Sequence, residues 1–145
     1  MNIGEILLKL FLAIILGGII GIERETSHKP AGFRTHILIC VTSAMMMLVA
    51  ERLSGTADAV RMAAGIITGV GFLGAGAILQ SRGSVHGLTT AATIWAVAGL
   101  GLAVGAGYYV VAVCFTVMVV LTLVVFRKID RALFSRAEKN HPDPH

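Results

Sequence analysis

Long apolar runs separated by short charged clusters form the pattern of hydrophobic and polar positions along this chain. A helix needs roughly 20 apolar residues, each adding about 1.5 Å, to cross the hydrocarbon core of a bilayer. Three runs of this length predict membrane spans at about residues 4–22, 33–50 and 61–80. The first contains Lys9, close enough to its end for the ammonium group to reach the headgroups. The pattern therefore indicates a helical protein that crosses a membrane several times.

The longest apolar run, residues 83–126, contains no Asp, Glu, Lys or Arg. As one helix it would be about 66 Å long, roughly twice the thickness of the hydrocarbon core. The chain must therefore fold back within it, and the glycines between residues 99 and 107 mark the bend. This predicts a fourth span at about 87–103 and a fifth at about 106–126.

Charged residues return after the fifth span, where an amphipathic pattern begins. Ile129, Leu133 and Phe134 share one helical face, which favours a short interfacial helix resting on anionic lipid headgroups. We therefore predict an all-α fold, a polytopic bundle of five transmembrane helices with a short basic C-terminal interfacial helix. Residues 1–126 form the transmembrane domain and residues 127–145 a basic cytoplasmic tail.

The composition is that of a membrane protein and narrows the functional classes. Of the 145 residues, 56% are hydrophobic and 14% charged, against about 25% charged in a typical soluble domain. The sequence has no phosphate loop, nucleophile–base arrangement or metal-ligand spacing, so we do not expect an enzyme. The net charge of +4 reflects the basic tail, which indicates membrane lipids and not nucleic acid as a partner.

Basic residues are distributed unevenly between the two sides of the five-span arrangement. Nine lie on the side of the C-terminus: Arg24, Lys29, Arg34, Arg82, Arg127, Lys128, Arg131, Arg136 and Lys139. Three lie on the other side: Lys9, Arg52 and Arg61. Because cytoplasmic loops carry the excess of Lys and Arg, we predict that the N-terminus faces out and the C-terminus is cytoplasmic. On the outer side Asp58 and Arg61 are three residues apart and are predicted to pair.

Ionisable and hydroxyl residues gather at the cytoplasmic ends of the first, second and fourth spans. This polar rim comprises Glu23, Arg24, Glu25, Arg34, Thr35, His36, Arg82, Thr89 and Thr90. Charges at this depth are unfavourable unless they are paired or hydrated. In one interpretation Glu23 or Glu25 forms an ion pair with Arg34 or with Arg82. In the other, the rim is a pocket that binds a protein partner or a cation such as Mg²⁺, whose ligands stay undetermined.

Small residues recur at four-residue spacing within the spans. The candidate packing glycines are Gly17, Gly21, Gly65, Gly69, Gly71, Gly74 and Gly76. Lipid leaves little hydrophobic drive between helices, so small residues associate helices by letting their backbones approach closely. The spacing fits packing within one chain or a face that forms a homo-oligomer. The four glycines of residues 69–76 fit either a thin, tightly crossed helix or a helix broken at the midplane, as in ion transporters.

Five sequence features together resemble the transmembrane domain of the bacterial MgtC/SapB family. They are Gly-Ile-Glu-Arg-Glu at 21–25, Ala-Gly-Phe-Arg-Thr-His at 31–36, Arg61, Gly-Val-Gly-Phe-Leu-Gly-Ala-Gly at 69–76 and Gly-Leu-Thr-Thr-Ala-Ala-Thr-Ile-Trp at 87–95. The resemblance covers about residues 10–110. Phe33 and His86 depart from the leucine and arginine that are common at these positions in the family.

The resemblance implies a protein of the bacterial inner membrane that serves growth in low magnesium, survival inside host cells and virulence. It implies a regulatory role through other inner-membrane proteins, such as the ATP synthase, although members are often labelled magnesium transporters. Many members add a cytoplasmic C-terminal domain, where this sequence has a short basic tail. Two hypotheses follow: a regulatory membrane protein, or a transporter or channel for Mg²⁺ or another small ion or solute.

Overall fold

The computed structural model describes residues 2–54, 56–79 and 86–139, with side-chain positions for residues 2–53, 59–78 and 86–129. Within these ranges every element is an α-helix: α1 Ile3–Thr26, α2 Phe33–Ser54, α3 Thr56–Leu79, α4 Leu88–Gly105 and α5 Tyr109–Lys139. Each helix is long and apolar enough to cross a membrane. The predicted all-α fold with five spans is therefore confirmed.

The structure differs from the prediction most clearly at the end of α5. This helix contains 31 residues, which makes it about 46 Å long at the rise of an α-helix. Its apolar part is Tyr109–Ile129, and the basic segment continues the same helix to Lys139. The separate interfacial helix predicted for this segment is therefore not shown. The basic residues instead extend α5 beyond the length that a membrane span requires.

α2 lies at the centre of the bundle and makes its most extensive contacts with α1 and α4. Gly17 of α1 allows this approach, because an added Cβ there would lie only 2.8 Å from Cys40 Cβ of α2. Gly105 of α4 acts in the same way, because a Cβ there would lie 2.7 Å from the Ala44 carbonyl oxygen. Close backbone approach of this kind supplies the packing that holds helices together in lipid.

The buried core consists of small and medium apolar side chains, most of them from α1, α2 and α4. It includes Ala13, Leu16, Ile20, Cys40, Ala44, Val97, Leu100 and Val104. α3 and α5 are peripheral, since only 11% of the apolar span of each is buried within the chain. The bundle therefore has a tight three-helix centre and two helices that expose most of their surface.

Tight turns at two helix ends set the connections between neighbouring helices. The left-handed residue Gly107, with a φ of 80°, lies just after α4, and the amides of residues 106–108 donate to carbonyls in the last turn of that helix. Both turns are Schellman motifs. After α1 the left-handed residue is His28, with a φ of 53°, and the amides of His28 and Lys29 donate to carbonyls in the last turn of α1. Of the glycines predicted to mark the bend, only Gly107 lies in the turn, and those at 99, 101 and 105 are helical.

Candidate functional site

The polar rim is centred on Glu23, in the last turn of α1. Its side chain is 8% exposed. Glu23 Oε1 accepts hydrogen bonds from Arg127 Nη1 at 3.0 Å and from Ser27 Oγ at 2.8 Å. Arg127 lies on α5 and also donates to the Ser27 hydroxyl. Glu23 thereby joins the end of α1 to α5 on the predicted cytoplasmic side.

Arg24 brings a second guanidinium group to the same carboxylate. It is 3% exposed, its Nη1 lies 3.6 Å from Glu23 Oε2, and its Nη2 donates to Thr90 Oγ1 of α4 at 3.1 Å. Glu23 Oε2 and Arg24 Nε are buried and lack a hydrogen-bond partner among the described residues. A buried charge is tolerated only beside an opposite one. Glu23 and Arg24 therefore depend on each other for burial.

His36 continues the polar contacts from α2 to α4. The ring is fully buried, with Nδ1 2.8 Å from the Gly32 carbonyl and Nε2 3.1 Å from Thr93 Oγ1. Because a carbonyl oxygen only accepts, Nδ1 carries a proton and donates it to Gly32, while Nε2 lies within hydrogen-bond distance of the Thr93 hydroxyl oxygen. The Thr93 hydroxyl itself donates to the Thr90 carbonyl at 2.9 Å. The histidine and two threonines thus fix α2 against α4 at the rim.

Glu25, Arg34 and Thr35 lie outside this buried cluster. All three are exposed and line a groove of about 590 Å³ beside the connection between α1 and α2. Glu25 Oε2 accepts the backbone N–H of Phe33 at 3.0 Å. Since the first N–H groups of a helix lack intrahelical partners, Glu25 caps α2. Glu25 Oε2 thus holds the start of α2, while the side chain as a whole stays exposed to solvent.

Among the described side chains, Glu23 pairs with two residues that the sequence analysis did not name as its partners. The carboxylate pairs with Arg24 and Arg127, while Arg34 is exposed and forms none of the ion pairs seen among the described side chains. Helix geometry explains this, because α2 turns Phe33 and His36 toward α1 and the residue after Phe33 then projects away. Arg82, the other predicted partner, lies outside the described residues.

Three further predicted positions are placed as follows. Thr89 is exposed at the start of α4, while Thr90 beside it is buried. On the opposite side of the bundle Arg61 is exposed. The side chain of Asp58 lies outside the described residues, so the pair with Arg61 stays a prediction.

The glycines of α3 divide into two groups. Gly74 faces α4, where an added Cβ would lie 3.6 Å from Ala91. At four other positions an added Cβ would meet no atom within 4 Å: Gly65, Gly69, Gly71 and Gly76. α3 is continuous through this segment, so the structure does not contain the broken helix considered from the sequence.

Lys9 forms a buried polar contact at the other end of the bundle that the sequence analysis missed. It is 5% exposed, and Nζ donates to the Gly105 carbonyl of α4 at 2.8 Å and lies 3.6 Å from Glu5. Carbonyls in the last turn of a helix lack intrahelical partners and favour a positive charge. The one sequence signal was a lysine inside an apolar run, and it did not identify the partner.

The buried rim cluster is suited to charge compensation and not to cation binding. Two guanidinium groups face the single carboxylate of Glu23, so positive charge exceeds negative. Magnesium requires several oxygen ligands, supplied by carboxylates and water. Within the part of the chain that the structure describes, no three His, Cys, Asp or Glu side chains are placed to hold a metal ion. Glu23 and its two arginines therefore do not fit a divalent cation.

Comparison with known proteins identifies relatives across most of the chain. A model of the MgtC family matches residues 10–132. A SapB protein of Bacillus subtilis is 47% identical over 114 residues, which cover 72% of this chain and 49% of the relative. A protein of Escherichia coli K12 with the name "Putative magnesium transporter YhiD" is 41% identical over 142 residues, or 91% of this chain and 65% of the relative.

A third relative is an MgtC protein of Brucella abortus. It is 40% identical over 121 residues, which cover 83% of this chain and 51% of the relative. This chain therefore spans about half to two thirds of the length of the curated relatives it matches. No solved structure matches the chain.

Proposed function

The chain belongs to the MgtC family, and from this premise we propose that it serves adaptation to low magnesium by binding and regulating other proteins of the bacterial inner membrane. The observation that carries the proposal is that Glu23 is already paired within the chain. This carboxylate is compensated by two arginines within the chain. The buried part of the rim therefore acts as a structural joint between helices and leaves regulation to the outer surfaces.

The exposure of the peripheral helices supports a binding role. Only 11% of the apolar span of α5 is buried, and large side chains such as Val117, Leu121 and Phe126 face outward. A helix with such a surface exchanges lipid contacts for contacts with another membrane protein at little hydrophobic loss, because lipid tails are as apolar as its side chains. α5 also leads to the exposed basic residue Lys128, which is placed to meet anionic groups at the cytoplasmic surface.

Transport of Mg²⁺ is the second candidate function, and the name of the Escherichia coli relative favours it. The residue that fits it best is Glu25, an exposed carboxylate in a groove of about 590 Å³. A hydrated magnesium ion keeps several of its waters and needs few protein carboxylates. A magnesium site at Glu25 would lie at the predicted cytoplasmic end of a transport pathway. Arg34 lines the same groove and opposes a cation there.

A flux measurement separates the two functions. We would reconstitute the purified chain in liposomes that contain a magnesium-sensitive dye and impose an inward Mg²⁺ gradient. The proposal expects dye signals equal to those of protein-free liposomes, for the wild type and for Glu25→Gln alike. Mg²⁺ entry that is abolished in Glu25→Gln but retained in Glu51→Gln, an exposed carboxylate near the end of α2, would establish transport and overturn the proposal.

Regulation also needs a positive measurement in cells. We would express the wild type and a Val117→Trp variant in a strain that requires the protein for growth in low magnesium, and crosslink membranes before purification. The wild type is expected to retain one inner-membrane protein and support growth, and the variant to lose both at equal abundance. Normal growth without any retained protein would contradict a binding role.

A further inference from the structure

The groove beside the connection between α1 and α2 is lined by a carboxylate and a guanidinium group that do not pair with each other. Glu25 and Arg34 both line its volume of about 590 Å³, and neither forms an ion pair with a described side chain. An ion pair brings nitrogen and oxygen within about 4 Å, so the two groups are held apart. The groove therefore presents one negative and one positive group, each open to a ligand.

Local geometry fixes the position of the carboxylate. Glu25 Oε2 accepts the Phe33 N–H at 3.0 Å, and a Cβ added at Gly32 would collide with the same oxygen. The missing side chain of Gly32 thus lets Glu25 lie against the start of α2. Glu25 Oε1 forms no hydrogen bond with the described residues. One carboxylate oxygen is therefore held in place while the other stays free to accept a donor from a ligand.

Neither a simple cation nor a simple anion suits this groove. A cation at Glu25 would be repelled by Arg34, and an anion at Arg34 would be repelled by Glu25. A ligand that carries both charges meets each group favourably. Arginine binds phosphate through charge-assisted hydrogen bonds, and a carboxylate accepts such bonds from an ammonium group. The charges of the groove therefore match a zwitterion with a phosphate and a primary ammonium.

The position of the groove identifies the source of such a zwitterion. It lies where the end of the apolar span Ile3–Thr26 adjoins the start of the span Phe33–Leu53, and this is the level of the lipid headgroups. Ile22 and Phe33 also line the groove and are 52% and 40% exposed. Ile22 lies about one helical turn deeper than the end of its span. The groove thus continues from charged groups toward the acyl chains.

We propose that this groove binds the headgroup of a zwitterionic aminophospholipid. The phosphate lies at Arg34, the primary ammonium at Glu25, and the first carbons of the lipid chains along Ile22 and Phe33. The volume of the groove lies within the range of about 300–1,000 Å³ that is usual for small-molecule sites. The lipid site does not depend on the orientation of the bundle, because headgroups line both surfaces of a bilayer. It is also independent of whether the protein regulates or transports.

Lipid titration followed by native mass spectrometry tests the match of charges. We would compare phosphatidylethanolamine with phosphatidylcholine, whose quaternary ammonium has no N–H to donate, and with phosphatidylglycerol, which lacks an ammonium. The wild type is expected to bind phosphatidylethanolamine at least about tenfold more tightly than either of the others, or by about 1.4 kcal/mol. Equal dissociation constants for the three lipids would refute the site.

Two variants with matched controls test whether this preference comes from the groove. Glu25→Gln keeps an oxygen for the Phe33 N–H but loses the charge, so it should bind phosphatidylethanolamine and phosphatidylcholine equally. Arg34→Gln should bind both lipids at least about tenfold more weakly than the wild type. Glu51→Gln and Lys29→Gln change exposed residues that do not line the groove and should keep the wild-type constants. A preserved preference in Glu25→Gln, or unchanged binding by Arg34→Gln, would contradict the proposal.

A soluble competitor distinguishes the lipid from its headgroup alone. Glycerophosphoethanolamine carries the same two charges but has no acyl chains to bury against Ile22 and Phe33. It should therefore fail to displace phosphatidylethanolamine at equal concentration, because apolar contact contributes to binding of the lipid only. Displacement at equal concentration would identify the free headgroup as the ligand and overturn a lipid site.

Covalent capture in vesicles provides a second test that needs no variant. A carbodiimide activates exposed carboxylates, and a primary amine held beside Glu25 then forms an amide with it. In phosphatidylethanolamine vesicles, peptide mass spectrometry should find the lipid on Glu25 at several times its level on Glu51, an exposed carboxylate outside the groove. Phosphatidylcholine vesicles should give no adduct. Equal lipid adducts on Glu25 and Glu51 would show that no ammonium is held at the groove.

Discussion

Three of the buried ionisable side chains that the structure describes reach toward α4. Lys9 donates to the Gly105 carbonyl, Arg24 to the Thr90 hydroxyl, and His36 lies against Thr93. α4 itself contains no Asp, Glu, Lys or Arg, and half of its apolar span is buried, more than in any other described span. It serves as an uncharged partner whose Thr90 hydroxyl and Gly105 carbonyl accept hydrogen bonds from α1. These single contacts fix the rotation of three helices about their axes.

Glu23→Gln should strongly destabilise the bundle. The substitution keeps the shape of the side chain but leaves Arg24 buried without its counter-charge. Removing one partner of a buried ion pair typically costs about 3–5 kcal/mol. We would measure the free energy of unfolding by SDS titration, with Glu25→Gln as control because that carboxylate is exposed. Equal losses in both variants would mean that the buried pair has no special role.

Lys9→Met should destabilise the opposite end of the bundle. Methionine fills a similar volume but leaves the Gly105 carbonyl without the donor that it has in the native protein. An unsatisfied buried polar group costs about 1–3 kcal/mol. The matched control is Arg52→Met, because Arg52 is exposed at the same end. If the two variants unfolded at the same SDS concentration as the wild type, the Lys9 contact would contribute nothing to stability.

At the scale of elements, the glycines of α3 and α4 serve different purposes. Gly101 lies against the Cys40 carbonyl of α2, and Gly105 lies against the Ala44 carbonyl. The α4 glycines therefore set the distance between two central helices. Gly71 of α3 is exposed, and a Cβ added there would meet no atom within 4 Å. Glycine therefore stabilises α4 by allowing it to pack closely on α2, whereas at Gly71 of α3 it only lowers the helix propensity.

Alanine substitution distinguishes these two kinds of glycine. Gly101→Ala should destabilise the protein by about 1–3 kcal/mol, because its Cβ collides with backbone that has no room to move. Gly71→Ala should raise stability by up to about 1 kcal/mol through helix propensity, because a Cβ there meets no atom within 4 Å. SDS titration at equal protein concentration would measure both. A stabilised Gly101→Ala would show that α2 and α4 are not in close contact.

For the whole molecule, the spans could be predicted from the sequence, but their packing could not. Hydrophobicity over about 20 residues is a local property, so five helices follow directly from it. The partner of Glu23 is Arg127, 104 residues later in the chain, and only the rotation of α5 brings them together. The partner of Lys9 is a backbone carbonyl, which no residue type reveals. Local pattern thus determines the elements, and helix rotation determines the site.

The orientation of the bundle in the membrane is predicted by charge alone, and cysteine labelling would test it. Tyr108 is 64% exposed in the turn between α4 and α5, and Lys29 is exposed between α1 and α2. With Cys114→Ser as background, a membrane-impermeant maleimide should label Tyr108→Cys in intact spheroplasts. Lys29→Cys should react only after the membrane is opened, since positive loops stay cytoplasmic. The reverse order would invert the orientation, and labelling of both in intact spheroplasts would be incompatible with an odd number of spans between the two positions.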